Sequence, residues 1–249
     1  MKIQLIRNAT LKITYAGQTL LIDPMLVDKN AIDPFAGIAR NPTVELPLPA
    51  VDVISGVNGM IVSHLHPDHF DQPAHEALPK AMPVFCQPGE DAAIAAAGFR
   101  NVQAINESQV WEGITITRTG GKHGRGEILK MLGEVSGFVL QASDEPTVYW
   151  VGDSIWCPEV AAAIEKFNPD IIVTHSGAAT LPGHDAIIMD GEQTLTTAQA
   201  APNATVVAIH LESLDHCALT REQLRQQANA ADVSPARLLI PQDGETVEF

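Results

Sequence analysis

The segment Met60-Ile61-Val62-Ser63-His64-Leu65-His66-Pro67-Asp68-His69-Phe70-Asp71 decides the fold. Its apolar start, Met60-Ile61-Val62, reads as the end of a buried strand. His64 and His66 follow two residues apart, and side chains so spaced on an extended chain point to the same side. That suits one metal, because imidazole nitrogens bind zinc at about 2.0–2.1 Å. Pro67 ends the strand and starts a turn, beyond which Asp68 and His69 can face a second metal beside the first. Alone, Asp68 would read as a helix cap and His64 as a core histidine. Three histidines and an aspartate within six residues, at a strand-to-helix junction, point instead to metal binding.

Upstream, residues 2–7, 11–15 and 18–23 read as short strands, with a tight turn at Gly17-Gln18. Residues 24–58 carry Pro24, Pro34, Pro42, Pro47 and Pro49. A loop this long in a compact domain is commonly functional, so it is expected to wall or cover the site. Downstream, strands are expected at 84–86, 101–105, 113–119, 135–141, 147–151, 171–173, 205–209 and 238–240. Helices are expected at 72–79, 90–97, 158–166, 190–200 and 220–231. Residues 120–126 form a glycine-rich loop around His123 that lacks the GxxxxGK[ST] pattern of a nucleotide phosphate loop. A second irregular stretch, 174–189, contains His175 and His184, and Asp243-Gly244-Glu245 reads as a turn. Strands and helices mix in both halves. Two sheets packed face to face with helices outside, in one α/β domain over 1–249, would account for that mixture.

Composition narrows the function. The chain has 249 residues, 45% of them apolar and 18% charged, as in globular proteins. A net charge of −15 and a pI near 4.8 disfavour nucleic acid as a partner. No apolar run is long enough for a membrane span, and the N-terminus reads as a first strand rather than a signal peptide. Cys86, Cys157 and Cys217 lack CxxC spacing, so neither a disulfide framework nor a thiolate site is signalled, and the cytoplasm is the expected compartment.

Polar residues recur where apolar runs end: Asp23, His64, His66, Asp68, His69, His123, Asp153 and His210. Strand ends that meet loops are where ligand sites gather. The order His-Leu-His-Pro-Asp-His, a lone His, Gly-Asp and a late strand-end His resembles the metallo-β-lactamase superfamily over nearly the whole chain. The opening Arg7-Asn8-Ala9-Thr10-Leu11-Lys12-Ile13 and the later Thr19-Leu20-Leu21-Ile22-Asp23-Pro24 resemble its branch of L-ascorbate-6-phosphate lactonase and related metal-dependent hydrolases.

The resemblance implies a four-layer αβ/βα sandwich of two mixed sheets, with metals at one edge. It implies His64, His66 and His123 on a first metal, and Asp68, His69 and His210 on a second, with Asp153 bridging both. Asp23 would orient a ligand histidine from behind, and Asp71 stands where some members carry another acidic residue. Asn8 departs from the pattern, standing where related sequences carry histidine. Lys122, Arg125, His175, Glu212 and His216 are candidates for substrate contact, the first two for an anionic group.

The activity so implied is hydrolysis of a small ester, lactone, amide or phosphoester, anionic ones included, by a metal-bound hydroxide. Asp68 would orient the nucleophile and pass a proton to the leaving group. The cofactor expected is two divalent ions, zinc first, with manganese or iron also compatible with nitrogen and oxygen ligands. Two alternatives stand beside it: an iron-dependent redox member, and a metal-binding or regulatory protein that lost turnover. His66 stands where the di-iron flavoprotein branch carries a carboxylate, which counts against the first, and the complete ligand set counts against the second.

Overall fold

In the computed structural model, which describes residues 1–249, strand parity decides which side chains meet. The strands are β1 (Lys2–Arg7), β2 (Thr10–Tyr15), β3 (Gln18–Ile22), β4 (Gly59–Val62), β5 (Pro83–Cys86), β6 (Asn101–Ala104), β7 (Ser108–Trp111), β8 (Ile114–Gly120), β9 (Ser136–Gln141), β10 (Val148–Trp150), β11 (Ile171–His175), β12 (Thr205–Ile209), β13 (Leu238–Leu239) and β14 (Thr246–Glu248). The helices are α1 (Ala50–Ile54), α2 (Gln72–Ala77), α3 (Asp91–Ala96), α4 (Ile128–Leu132), α5 (Pro158–Phe167), α6 (Gly191–Ala200) and α7 (Arg221–Ala230).

Two seven-stranded mixed sheets form, ordered β14-β1-β2-β3-β4-β5-β6 and β13-β12-β11-β10-β9-β8-β7. Alternate residues of each strand face opposite ways. On β10 and β11, Val148, Trp150, Ile171 and Val173 enter the core between the sheets, while Tyr149 and Ile172 face α5, α6 and α7. On β4, Ile61 faces the inter-sheet core, and Met60 and Val62 pack with Val53 of α1, Ala74 of α2 and Ile94 of α3. Strands buried on both faces read as unbroken apolar runs, which is why these segments showed no alternation in the sequence. The result is the expected four layers, helices outside two mixed sheets.

This topology gathers the candidate residues. Strands β3 to β6 are mutually parallel, as are β10 to β13. β8 runs antiparallel to β9, and β9 antiparallel to β10, so β8 points the same way as β10. Asp23, His64, His123, Asp153 and His210 all lie just beyond such carboxyl ends. His175 ends β11 and shares parity with Ile171 and Val173, so its ring closes the inter-sheet core beside Trp150, at 5.4 Å between centroids. Sharp exits from the strands need unusual backbone. Asp23 and His210 sit at φ +46° and +59°, in the left-handed region that costs an L-residue energy and clusters at functional sites. Gly152, before Asp153, has φ +72°, and a Cβ there would stand 2.6 Å from the Ser136 carbonyl oxygen.

Four elements went unseen in the sequence. α1 and α4 span five residues each, too short to display a helical period. β7 is a polar edge strand, and only Trp111 packs against the inter-sheet core. Its hairpin to β8 turns at Glu112-Gly113, both at positive φ, the conformation of a two-residue primed turn. β14 is held by pairing with β1 rather than by an apolar face.

Candidate metal centre

The ligating atoms of His64, His66 and His123 lie within 4.8 Å of one another, and those of His69, Asp153, His175 and His210 form a second such group. Asp153 stands between the groups. Its Oδ2 lies 3.2 Å from His69 Nε2, 3.4 Å from His123 Nε2 and 3.9 Å from His64 Nε2, and its Oδ1 lies 3.7 Å from His210 Nε2. Asp68 Oδ2 closes the second group, 3.3 Å from His210 Nε2 and 3.4 Å from His69 Nε2. All of these are buried except His66, which is half-buried.

The side chains behind this cluster fix which nitrogen of each ring faces inward. Asp23, fully buried, accepts hydrogen bonds from the Ser63 amide (2.8 Å), the Ser63 hydroxyl (2.7 Å) and His69 Nδ1 (2.6 Å). A carboxylate only accepts, so His69 Nδ1 carries a proton and Nε2 is the nitrogen left to ligate a metal once its own proton is displaced. His123 Nδ1 donates to the Ile187 carbonyl (2.9 Å) with the same result. His175 Nδ1 donates to Asp153 Oδ1 at 2.5 Å. Asn8 bonds both the Asp68 carbonyl (3.2 Å) and Asp68 Oδ2 (3.4 Å), and its own carbonyl accepts from the His210 amide (3.1 Å).

A cation fits these residues. His210 Nε2 is buried without a hydrogen-bond partner, an arrangement that costs about 1–3 kcal/mol unless something satisfies it. Converging imidazoles and two carboxylates, with no thiolate among them, suit zinc, manganese or iron. Electrostatics agree. Burial, with His69 adding to it, pushes His64 well below the usual histidine range, and burial also lowers His123. Burial acts to lower His69 and His210 too, but Asp153 outweighs it, holding His69 well above its ordinary value and His210 at about 10. Against burial, which would raise them, these two histidines hold Asp68 and Asp153 well below the carboxylate range. Burial takes His175 down to about 4, so it is a neutral imidazole.

A cavity of about 340 Å³ opens onto His66, Asp68, His123 and Asp153. Its remaining wall is Pro34, Phe35, Pro67, Leu132, Leu181, Ile187 and His216. Both irregular stretches, 24–58 and 174–189, thus contribute to it.

Residues 10–211 match the family model described as a β-lactamase superfamily domain. The chain belongs to the β-lactamase superfamily, in its metallo-β-lactamase fold. It is 37% identical to the UPF0173 protein YddR of Bacillus subtilis (strain 168), over the full length of both chains. A solved structure described as a possible metal-dependent hydrolase, from Veillonella parvula DSM 2008, superposes with a TM-score of 0.97 at 35% identity, covering 100% of this chain and 99% of the other. The isothiocyanate hydrolase from Delia radicum gut bacteria superposes with a TM-score of 0.94 at 40% identity, with the same coverage. The chain thus shares its fold with proteins described as metal-dependent hydrolases and carries a candidate metal site, and no helix in it is long and apolar enough to cross a membrane.

Within this superfamily member, several residues singled out from the sequence stand elsewhere than expected. Lys122 Nζ pairs with Glu159 at 3.3 Å and Arg125 is exposed, so neither lines the cavity, and no lysine or arginine does. Glu212 and Asp243 clamp Arg221, each with a contact of 2.5 Å, which takes Glu212 out of reach of substrate. Asp71 touches no ligand histidine. It caps α2 through the Ala74 amide and holds the Val27 amide at 2.7 Å. His175 lies behind Asp153 with no exposed surface, a partner of the cluster rather than of substrate. His184 is exposed. His216 alone of the five substrate candidates reaches the cavity. Phe35, Ser63 and Asp215 carried no signal, since an isolated phenylalanine, serine or aspartate in a loop reads as ordinary.

Proposed function

We propose that the chain hydrolyses a small, uncharged organic electrophile at a binuclear centre, and that an isothiocyanate is the member of that class to test first. The observation that carries this reading is the cavity: one wall is the candidate ligand cluster, the rest is mainly apolar, and no cationic side chain lines it. A phosphoester or another anion would find no cationic side chain there and would have only bound metal to pair with. An ester or lactone is uncharged and fits as well. The likeness to the isothiocyanate hydrolase ranks the heterocumulene ahead of them.

In this reading His64, His66 and His123 hold one ion, Asp68, His69 and His210 a second, and Asp153 reaches both. Divalent ions bound there acidify water and polarise an electrophile. The chain's own residues do the rest. Asp23 and the Ile187 carbonyl keep His69 and His123 in the ligating tautomer. Asp68, ionised and facing the cavity, receives a proton from water and passes it to the leaving nitrogen or oxygen. Leu132, Leu181 and Ile187 exclude solvent around the organic group. For an isothiocyanate, water adds to the central carbon, and the thiocarbamic acid breaks down to an amine and carbonyl sulfide.

The test is elemental analysis of untagged protein purified without chelator, followed by turnover of benzyl isothiocyanate, γ-butyrolactone and a phosphodiester. About two equivalents of zinc or manganese with turnover of the neutral substrates is expected. Turnover of the phosphodiester alone would overturn the substrate class. Iron with redox activity, or bound metal with no turnover, would overturn the hydrolytic reading of the site.

A further inference from the structure

One carboxylate outside the ligand cluster shapes the cavity. Asp215 follows β12 by six residues on the segment that also carries His210 and His216. Its Oδ1 accepts from the Phe35 amide (2.9 Å) and from Asn41 Nδ2 (2.9 Å). Its Oδ2 accepts from the amides of Ala36 (3.1 Å), Ile38 (3.0 Å) and Ala39 (3.3 Å). In return its own amide donates to Asn41 Oδ1 at 2.7 Å. Residues 33–41 are thereby wrapped around a single negative charge, as backbone amides wrap an anion in a nest. The base of this strap is closed by an Ile32–Asn41 backbone bridge and by Arg40, which bonds Asp33 and the Asn30 and Ala31 carbonyls, but Asp215 is what holds the amides of Phe35, Ala36, Ile38 and Ala39. Ile38, at its tip, is 77% exposed, and Gly37, Ala39 and Arg40 are exposed as well.

What the strap presents is apolar. Pro34 and Phe35 line the cavity, and the Phe35 ring meets the His216 ring edge-on, 5.1 Å between centroids at 82°. His216 immediately follows Asp215, so one dipeptide anchors the strap with its first residue and packs against it with its second. Leu132, Leu181 and Ile187 complete the apolar lining. At about 340 Å³ the space is at the small end of ligand cavities, room for one ring or a short chain beside the reacting group.

We infer that the strap 33–41 is the wall that reads the organic substituent of the substrate, that Phe35 selects a single neutral aromatic ring there, and that Asp215 is the positioning residue that holds Phe35 in place. This rests on the cavity being the substrate site, as proposed above. The geometry assigns Asp215 no contact with the ligand cluster, so its loss acts on recognition and not on metal.

The experiment compares wild type, Phe35→Ala and Asp215→Asn in three readouts. Metal content per chain should be the same in all three. Amide hydrogen exchange at Phe35, Ala36, Ile38 and Ala39 should speed up in Asp215→Asn by about tenfold or more. The ratio of kcat/KM for benzyl over methyl isothiocyanate, or over the corresponding acetates, should fall about tenfold in both variants, with the loss in KM for the benzyl substrate. Binding of 4-fluorobenzyl alcohol, followed by fluorine NMR, should weaken by a similar factor and needs no turnover. If wild type hydrolyses neither substrate pair yet binds the fluorinated probe through Phe35, the hydrolase reading fails and the strap stands. The inference is overturned by an unchanged benzyl-to-methyl ratio together with unchanged probe binding, by wild type failing to bind the probe, or by metal loss in Asp215→Asn.

Discussion

Replacing Asp23 by asparagine changes one atom and should cripple metal binding while leaving the fold in place. Asp23 Oδ1 accepts from the Ser63 amide at 2.8 Å, and that bond obliges an asparagine to keep its oxygen there. Its nitrogen then takes the position of Oδ2, 2.7 Å from the Ser63 hydroxyl and 2.6 Å from His69 Nδ1. The hydroxyl can turn and accept. The imidazole must change tautomer, because an amide nitrogen donates where the carboxylate accepted. His69 would then carry its proton on Nε2, the atom that faces Asp68 and Asp153 at 3.4 and 3.2 Å, and lose the lone pair needed for a metal. Loss of such an orienting partner lowers metal affinity by about 10–100-fold. At fixed excess metal that lowers the stability of the loaded protein by about 1.4–2.7 kcal/mol. Competition against a chromogenic chelator, with metal per chain by elemental analysis, measures the first. Thermal unfolding with and without metal measures the second. Asp23→Ala should do worse, since it also strands the buried Ser63 amide at a further cost of about 1–3 kcal/mol. Wild-type metal affinity in Asp23→Asn would refute the argument, because the tautomer could not then depend on this carboxylate.

Four other outcomes are expected. His175→Phe frees Asp153 Oδ1 from its 2.5 Å partner and should weaken metal binding about tenfold, seen in the same chelator competition and as an altered visible spectrum of cobalt-substituted protein. Metal uptake should release protons and strengthen with pH, by about tenfold per pH unit for each proton displaced, because Asp153 keeps His69 and His210 protonated in the metal-free state, His210 up to about 10. Those raised values also stabilise the metal-free fold in full below the ordinary histidine value of about 6.5 and lose that contribution as the pH climbs through about 10, so the metal-free Tm should fall over that window more than the loaded one. Gly152→Ala should destabilise by about 1–3 kcal/mol in chemical denaturation, since φ +72° is strained for alanine and its Cβ would meet the Ser136 carbonyl.

The local sequence carried much of this protein. Met60 to Asp71 announces a strand, a turn and a set of imidazoles in an order that chain direction alone fixes, and hydrophobic runs such as Ile171-Ile172-Val173 place strands without reference to anything distant. The short elements escaped because five residues cannot show a period, and β7 and β14 escaped because pairing partners hold them, not apolar faces of their own. Roles of single polar residues also escaped. Lys122 beside His123 looked like an anion contact until Glu159, distant in sequence, turned out to be its partner, and Glu212 was absorbed by Arg221. His175 matched no motif, yet parity on β11 and the approach of β10 set it against Asp153.

By itself, then, the sequence determined the family, the layered architecture and a set of candidate metal-ligating residues, because strand parity and motif spacing are properties of neighbouring residues. Only the tertiary structure decided which carboxylate orients which histidine, which charges are spent on ion pairs, and that Asp215 folds residues 33–41 into a wall over the cavity. Those contacts join residues from nine to 180 positions apart, and nothing local to either partner encodes that the other will arrive.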